Sequence, residues 1–205
     1  AHRIDREVRA RPAGDGAWEF ECEDRRYGEY AFGRRAFYRR SASDAETYTF
    51  TTIKAQFAGA EPETFEVEEE LPDGAYVEKT TWRVPRLTGG PDLWILPPFP
   101  DANDLISTPS VTRRTGPVVY GFPRMLTLTA IVEGIPDHFL LPDPYERTGD
   151  GWSVTTEWRR DGGDVRGTMT FVMEKTVFSP DEYRDLRRMY AALKKQASFA
   201  LKVPG

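Results

Sequence analysis

Along most of this chain hydrophobic and polar residues alternate with a period of two, and that pattern predicts strands. Trp18-Glu19-Phe20-Glu21-Cys22-Glu23 puts Trp18, Phe20 and Cys22 on one face and three carboxylates on the other. Phe65, Val67 and Glu69 alternate with Glu66, Glu68 and Glu70. A Pro72-Asp73-Gly74 turn follows, and Ala75 to Val84 returns with Tyr76, Thr80, Trp82 and Val84 available to one face, which predicts a hairpin. The second half repeats the pattern. Met125 to Val132 is apolar and Thr-rich, and Trp152, Val154, Thr156 and Trp158 alternate with polar neighbours. Asp161-Gly162-Gly163-Asp164 then turns the chain into Val165, Gly167, Met169, Phe171 and Met173. Tyr27 to Tyr38, aromatic but interrupted by Gly28 and Gly33, reads as a strand with a bulge or turn, and Tyr48 to Phe57, rich in Thr and aromatics, reads as strand as well. The first dozen residues, with Arg3, Arg6, Arg9 and Arg11, read as a lead-in or an edge segment.

One stretch, Ser179 to Ser198, has the other period. Tyr183, Leu186, Tyr190 and Leu193 recur every three or four residues, with Arg184, Asp185, Arg187, Arg188, Lys194 and Lys195 largely off that stripe. Ser179 suits an N-cap, Pro180 the first helical position, and Asp181 and Glu182 the positive end of the helix dipole. The expected helix runs over 180–197. It must bury its stripe against what precedes it, so the Trp152 hairpin is its expected packing partner.

These elements predict a mainly β chain, with antiparallel β-sandwich-like subdomains and one C-terminal amphipathic α-helix. Leu93 to Leu96 is a short apolar run ahead of Pro97-Pro98-Phe99-Pro100, whose prolines oppose regular pairing, so a boundary is expected between Pro97 and Thr108. The two expected units are 1–100 and 101–205. Charge differs between the halves. Residues 1–104 carry 14 basic and 21 acidic side chains, a net of −7, whereas residues 105–205 carry 14 and 12, a net of +2.

The overall charge of −5 argues against a general nucleic-acid binder, which needs an excess of Lys and Arg. Nor is any apolar run long enough to span a bilayer. Ala1 opens no signal-peptide pattern, which leaves export undecided, and the single cysteine excludes an internal disulfide.

Few residues here point to chemistry. A thiolate nucleophile wants a cationic neighbour or a helix N-terminus, and Glu21 and Glu23 flank Cys22 with the opposite charge, so it reads as a core residue beside Trp18 and Phe20. His2 and His138 lie far apart, and no metal-ligand spacing appears; Asp101-Ala102-Asn103-Asp104 begins like a calcium loop but lacks its glycine and terminal glutamate. Gly89-Gly90 and Gly162-Gly163 do not open a helix after a strand, as phosphate-binding loops do. Gly33 to Arg40 mixes cations and aromatics as single-strand binders do, but in an acidic half it reads in preference as a strand with a solvated face, or one pairing with the carboxylates of Glu66 to Glu70. Trp82, Trp152 and Trp158 are the candidate ligand-binding residues, as stacking platforms for a glycan, against a reading in which they pack the core. Trp152 and Trp158 share one face of their strand. No catalytic residue, metal site or cofactor is predicted.

The order of features resembles the non-catalytic C-terminal region of bacterial transglutaminase-like proteins, flanking β-domains with no assigned function. The residues that carry the likeness are Arg124-Met125-Leu126-Thr127-Leu128, Leu141-Pro142, the Trp152 hairpin, Ser179-Pro180-Asp181-Glu182-Tyr183 with Leu186, and Phe199-Ala200-Leu201-Lys202. The Phe65 to Trp82 hairpin and Asn103-Asp104-Leu105 look like the segment linking that region to the catalytic domain. In that family the Cys, His and Asp of the papain-like domain lie N-terminal to the region resembled, and none of their motif is found here. The resemblance implies an accessory β module, periplasmic or of the cell envelope, that packs on or presents a neighbouring cysteine hydrolase domain or binds a protein partner. A carbohydrate-binding module is the alternative.

Overall fold

A computed structural model describes residues 2–70, 74–85, 93–96, 114–137, 139–196 and 199–202. Its centre is β1 (Arg3–Pro12), the segment expected to be a lead-in. β1 is an interior strand because its even positions, Ile4, Arg6, Val8 and Ala10, all face a packed layer while Arg3, Asp5, Glu7 and Arg9 face outward. Few of those even positions are strongly apolar, so the alternation was faint in the sequence. It pairs antiparallel with β2 (Trp18–Tyr27) across a tight turn in which Ala13 N–H donates to the Ala17 carbonyl at 2.8 Å and Gly16 takes a φ of 85°.

Two helices follow where strands were expected: α1 (Glu29–Arg40) and α2 (Ala42–Gln56). Both readings are corrected by what the helices bury. α1 turns Ala31 and Arg34 inward, and α2 turns Ala45, Thr49 and Ile53 inward at a spacing of four. A helix whose inner face is small, polar or charged carries almost no apolar period, so aromatic and Thr content misled. The junction itself is well capped. The Ser41 hydroxyl accepts from Asp44 N–H at 3.2 Å.

The Glu-rich hairpin is present as β3 (Glu61–Glu70) and β4 (Ala75–Val84), with an irregularity between Pro62 and Thr64. β5 (Leu93–Leu96) and β6 (Val118–Val119) are short. After them come β7 (Arg124–Val132), β8 (Tyr145–Gly149), β9 (Trp152–Asp161), β10 (Asp164–Met173), β11 (Val177–Phe178), α3 (Tyr183–Gln196) and β12 (Phe199–Lys202). Eight strands form one sheet in the order β3-β4-β2-β1-β7-β10-β9-β8, and β11 pairs with β6 and β12 with β5 in two small ribbons.

The chain is mainly β with a C-terminal helix, as its pattern predicts. The sheet is mixed, however: β1 and β7 run parallel over eight residue pairs, from Arg3 opposite Met125 to Ala10 opposite Val132. Strands from both halves of the chain therefore share one hydrogen-bonded ladder, and the expected boundary at 97–108 lies outside the described residues. One face of the sheet holds a single apolar cluster running from Trp82 and Phe20 through Leu128 to Met169, Trp152 and the stripe of α3. The other face is a lattice of alternating charge, with Arg11 on Glu19 and Arg9 on Glu133 at 2.8 and 3.1 Å.

α3 is stapled down at its start. Ser179 N–H donates to Glu182 at 2.8 Å and Glu182 N–H to the Ser179 hydroxyl at 3.4 Å, a reciprocal cap. Its buried face comprises Tyr183, Leu186, Met189, Tyr190, Ala192 and Leu193, and Asp185 accepts from Trp152 Nε1 at 3.0 Å, joining the helix to the hairpin expected to receive it.

Candidate functional site

The only charged cluster reaching the interior lies where α1 and α2 cover β1, β2 and β4, among the described residues. Strand register builds it. Arg6 stands opposite Asp24 and Asp24 opposite Glu78, a row of three ionisable side chains across three adjacent strands, on the face that one row further along carries Val8, Cys22 and Thr80. Asp24, Glu78, Arg6 and Arg26 are all less than a tenth exposed.

Burial of this kind is costly unless each charge finds partners. Here Asp24 Oδ2 accepts from Arg6 and from Arg26, whose Nε and Nη2 lie 3.1 and 2.7 Å away. Glu78 Oε1 accepts from Arg34 Nε at 2.5 Å and from the Tyr76 hydroxyl at 3.1 Å, while Glu78 Oε2 lies 3.7 Å from Arg26. Arg34 also donates to Thr49 Oγ1 at 2.8 Å, and Thr49 in turn donates to the Ala45 carbonyl at 3.0 Å. One network therefore ties both helices to three strands.

The protonation equilibria of the cluster move away from neutrality. Burial works to raise the Asp24 carboxyl, but the charges of Arg26 and Arg6 and their hydrogen bonds outweigh it, and the net direction is down. Burial pushes the Cys22 thiol up to about 12, with the Arg6 charge opposing only in part. Burial, followed by the nearby Glu78 carboxylate, also raises the Tyr76 phenol. Acid–base and nucleophilic catalysis call for groups poised near the working pH, and these three are displaced the other way.

Space decides in the same direction. Cys22, Asp24, Thr49, Glu78 and Trp82 line a cavity of about 20 Å³, against the ~300 Å³ at which small-molecule sites begin. That is room for about one water molecule. On the opposite face of the sheet a depression of about 90 Å³ between Arg9, Arg11, Glu19, Glu21 and Glu63 is still below that range.

The predicted residues are distributed as follows. Cys22 is 6% exposed in the core beside Trp18 and Phe20, as expected. Trp82, at 1% exposure, stacks on Phe20 at 5.1 Å and 8° between ring planes, and Trp152, at 4%, is bonded to Asp185, so both indoles are core groups and neither offers a ring face to a glycan. Trp158 shares the Trp152 face of β9 and is half-buried, lying over Gly167, so the structure does not gather the three tryptophans into one platform. His2 Nδ1 accepts from Glu29 N–H at 3.1 Å, at the start of α1. His138, Gly89-Gly90 and Asp101 to Asp104 lie outside the described residues. Arg35 and Arg39 of the cationic segment do pair with Glu69, at 3.2 and 3.1 Å, but from a helix instead of a strand. Among the described residues no three of His, Cys, Asp and Glu gather as metal ligands would, and no helix is long and apolar enough to cross a membrane.

Sequence reasoning missed the Arg6–Asp24–Glu78 row. A signal existed: the alternation that makes Trp18, Phe20 and Cys22 one face continues, at the same parity, to Asp24 and Arg26.

No family model matches the chain, and no curated protein does. Among solved structures, a Parabacteroides distasonis protein described as a "putative protease" aligns with 56% of this chain at a TM-score of 0.47 and 15% identity. The alignment spans about a quarter, 24%, of that protein's own length. A likeness of that degree transfers neither fold nor activity.

Proposed function

We propose that this chain is a non-catalytic accessory β module that packs on or presents a neighbouring transglutaminase-like cysteine hydrolase domain, or binds another protein partner. The observation that carries the reading is the condition of Cys22 and its surroundings. The one thiol is sealed into the core and pushed up to about 12 by burial, and the acids beside it are held by arginines, of which Arg34 fastens a helix to a strand. These side chains serve cohesion. The resemblance of Ser179-Pro180-Asp181-Glu182-Tyr183 and the flanking strands to the C-terminal region of transglutaminase-like proteins supplies the class of partner.

The test is association in trans. A papain-fold transglutaminase-like domain from the same open reading frame, titrated into the 205-residue chain, is expected to form a saturable complex whose hydrolase activity is unaffected by Cys22→Ala. Hydrolysis by the chain alone, lost in Cys22→Ala, would refute the reading, as would a reading frame holding no such domain. The carbohydrate-binding alternative rests on Trp158 alone, and Trp158→Ala abolishing a glycan-array signal is the result that would favour it.

A further inference from the structure

Five cations lie in one line along the outside of α3. Arg184, Arg187, Arg188, Lys194 and Lys195 follow the helical repeat at i, i+3, i+4, i+10 and i+11, with Ala191 at i+7 completing the line. All five are exposed or half-exposed, and none forms an ion pair with a described residue. Few acids stand beside them: Asp185 accepts from the neutral Trp152 indole, Glu182 is paired with Lys175, and Asp181 precedes the helix. The 14 residues of the helix carry five basic side chains against one acidic, Asp185, in a chain whose overall charge is −5.

The same end of the molecule exposes apolar side chains. Val119 and Val177 are cross-strand partners in the β6–β11 ribbon, at 66% and 50% exposure. That ribbon sits on α3, since Tyr190 donates to the Tyr120 hydroxyl at 2.8 Å and Tyr120 meets Phe178 edge-on. Arg114, its guanidinium 5.9 Å from the Tyr183 ring, adds a further exposed cation beside the helix start.

We propose that the exposed face of α3, with the Val119–Val177 ribbon, docks the protein on an anionic lipid bilayer. Clustered Lys and Arg on a helix face are drawn to the negative surface of such a membrane, and neighbouring apolar side chains enter its interfacial zone. Because the apolar stripe of α3 is buried in the fold, the helix stays folded against β8 and β9 and the attachment is peripheral. A second copy of the chain is the competing occupant, through the acidic edge strand β3 at the far end of the sheet. It fits less well, because the outward residues of β3 are Glu61, Glu63, Thr64, Glu66 and Glu68 and offer the valines no apolar counterpart. This goes beyond the accessory role and does not depend on it.

Vesicle co-sedimentation of the whole chain tests the proposal. At low salt the chain is expected to sediment with mixed phosphatidylcholine–phosphatidylglycerol vesicles and to remain free of pure phosphatidylcholine vesicles. The double variants Arg187→Gln/Arg188→Gln and Lys194→Gln/Lys195→Gln should each weaken binding about 25-fold, at about fivefold per cation. Salt should release the protein as the screening length falls to about 3 Å at 1 M. The substituted side chains face solvent, so an unchanged circular-dichroism spectrum confirms that the fold is kept, and Glu61→Gln/Glu63→Gln is the control that leaves binding intact. Equal binding to uncharged vesicles, undiminished binding by both double variants, or no sedimentation at all overturns the proposal. Saturable binding of polyglutamate without vesicle binding overturns it too, and assigns the stripe to an acidic protein segment.

Discussion

Arg34 of α1 and Glu78 of β4 are mutually buried: Arg34 Nε lies 2.5 Å from Glu78 Oε1, with side chains 8% and 5% exposed. The contact fastens a helix whose buried residues are only Ala31 and Arg34 to the second strand from the sheet's edge. Removing one partner of such a pair strands the other charge, which costs about 3–5 kcal/mol. Arg34→Met is expected to lose that much in urea denaturation. Arg34→Met/Glu78→Gln should lose less than the sum of the single changes, because glutamine leaves no uncompensated charge. Equal, additive losses would show that the pair is not coupled.

Stability should fall on the alkaline side. The Cys22 thiol, ordinarily near 9.0, is pushed up to about 12 in the fold, so above pH 9 the unfolded chain releases its proton while the folded chain keeps it. The folded state binds more protons there, and stability present below pH 9 is lost as pH rises, with a limiting slope of about 1.4 kcal/mol per pH unit for one group. Tyr30, Tyr76 and Tyr190 are also raised, chiefly by burial, and steepen the loss above pH 10. Cys22→Ala should flatten the slope between pH 9 and 10 when unfolding free energy is measured across that range. A slope equal to that of the native chain would contradict the burial argument.

What the alternation of side chains made legible, and what it hid, follows from which groups face inward. Trp152 to Trp158 and Val165 to Met173 were readable because a period of two coincides with apolar inner faces, and α3 because Leu186, Tyr190 and Leu193 keep the helical repeat. β1, α1 and α2 were not, because Arg6, Arg34 and Thr49 occupy inward positions that apolar residues usually fill. A pattern method sees a buried arginine as a surface residue until its carboxylate partner, here 18 or 44 residues away, is placed. The charge cluster hid for the same reason: its members come from β1, β2, α1, α2 and β4, and only the register brings them together. The local cap at Ser41 and Asp44, and the spacing of Ala45, Thr49 and Ile53, were the overlooked helix signals.

The start of α3 is sensitive to acid. Glu182 is held down to about 2, first by its hydrogen bond from Lys175 and then by that from Ser179 N–H. A depressed carboxyl contributes stability that is present above its ordinary value of 4.5 and is lost as pH falls toward 2. Glu182→Gln should flatten the acid limb of the pH–stability curve, and Ser179→Ala should cost about 1 kcal/mol at neutral pH through the lost cap. An acid limb unchanged in Glu182→Gln would remove the reciprocal cap from the account.

Gly167 stands opposite Trp158, and a Cβ there would come within 2.6 Å of the indole. Gly167→Ala should therefore displace the ring, cost about 1–3 kcal/mol as overpacking does, and shift tryptophan emission to the red. An unshifted spectrum with native stability would show that Trp158 does not lie over the glycine.

The central claim is that the chemistry-bearing groups are enclosed for cohesion, and labelling of Cys22 by a disulfide-exchange reagent in the native chain at neutral pH tests it most directly. The expected result is modification at the slow rate of global unfolding, accelerating to completion in denaturant. Stoichiometric labelling within the mixing time, without denaturant, would contradict it.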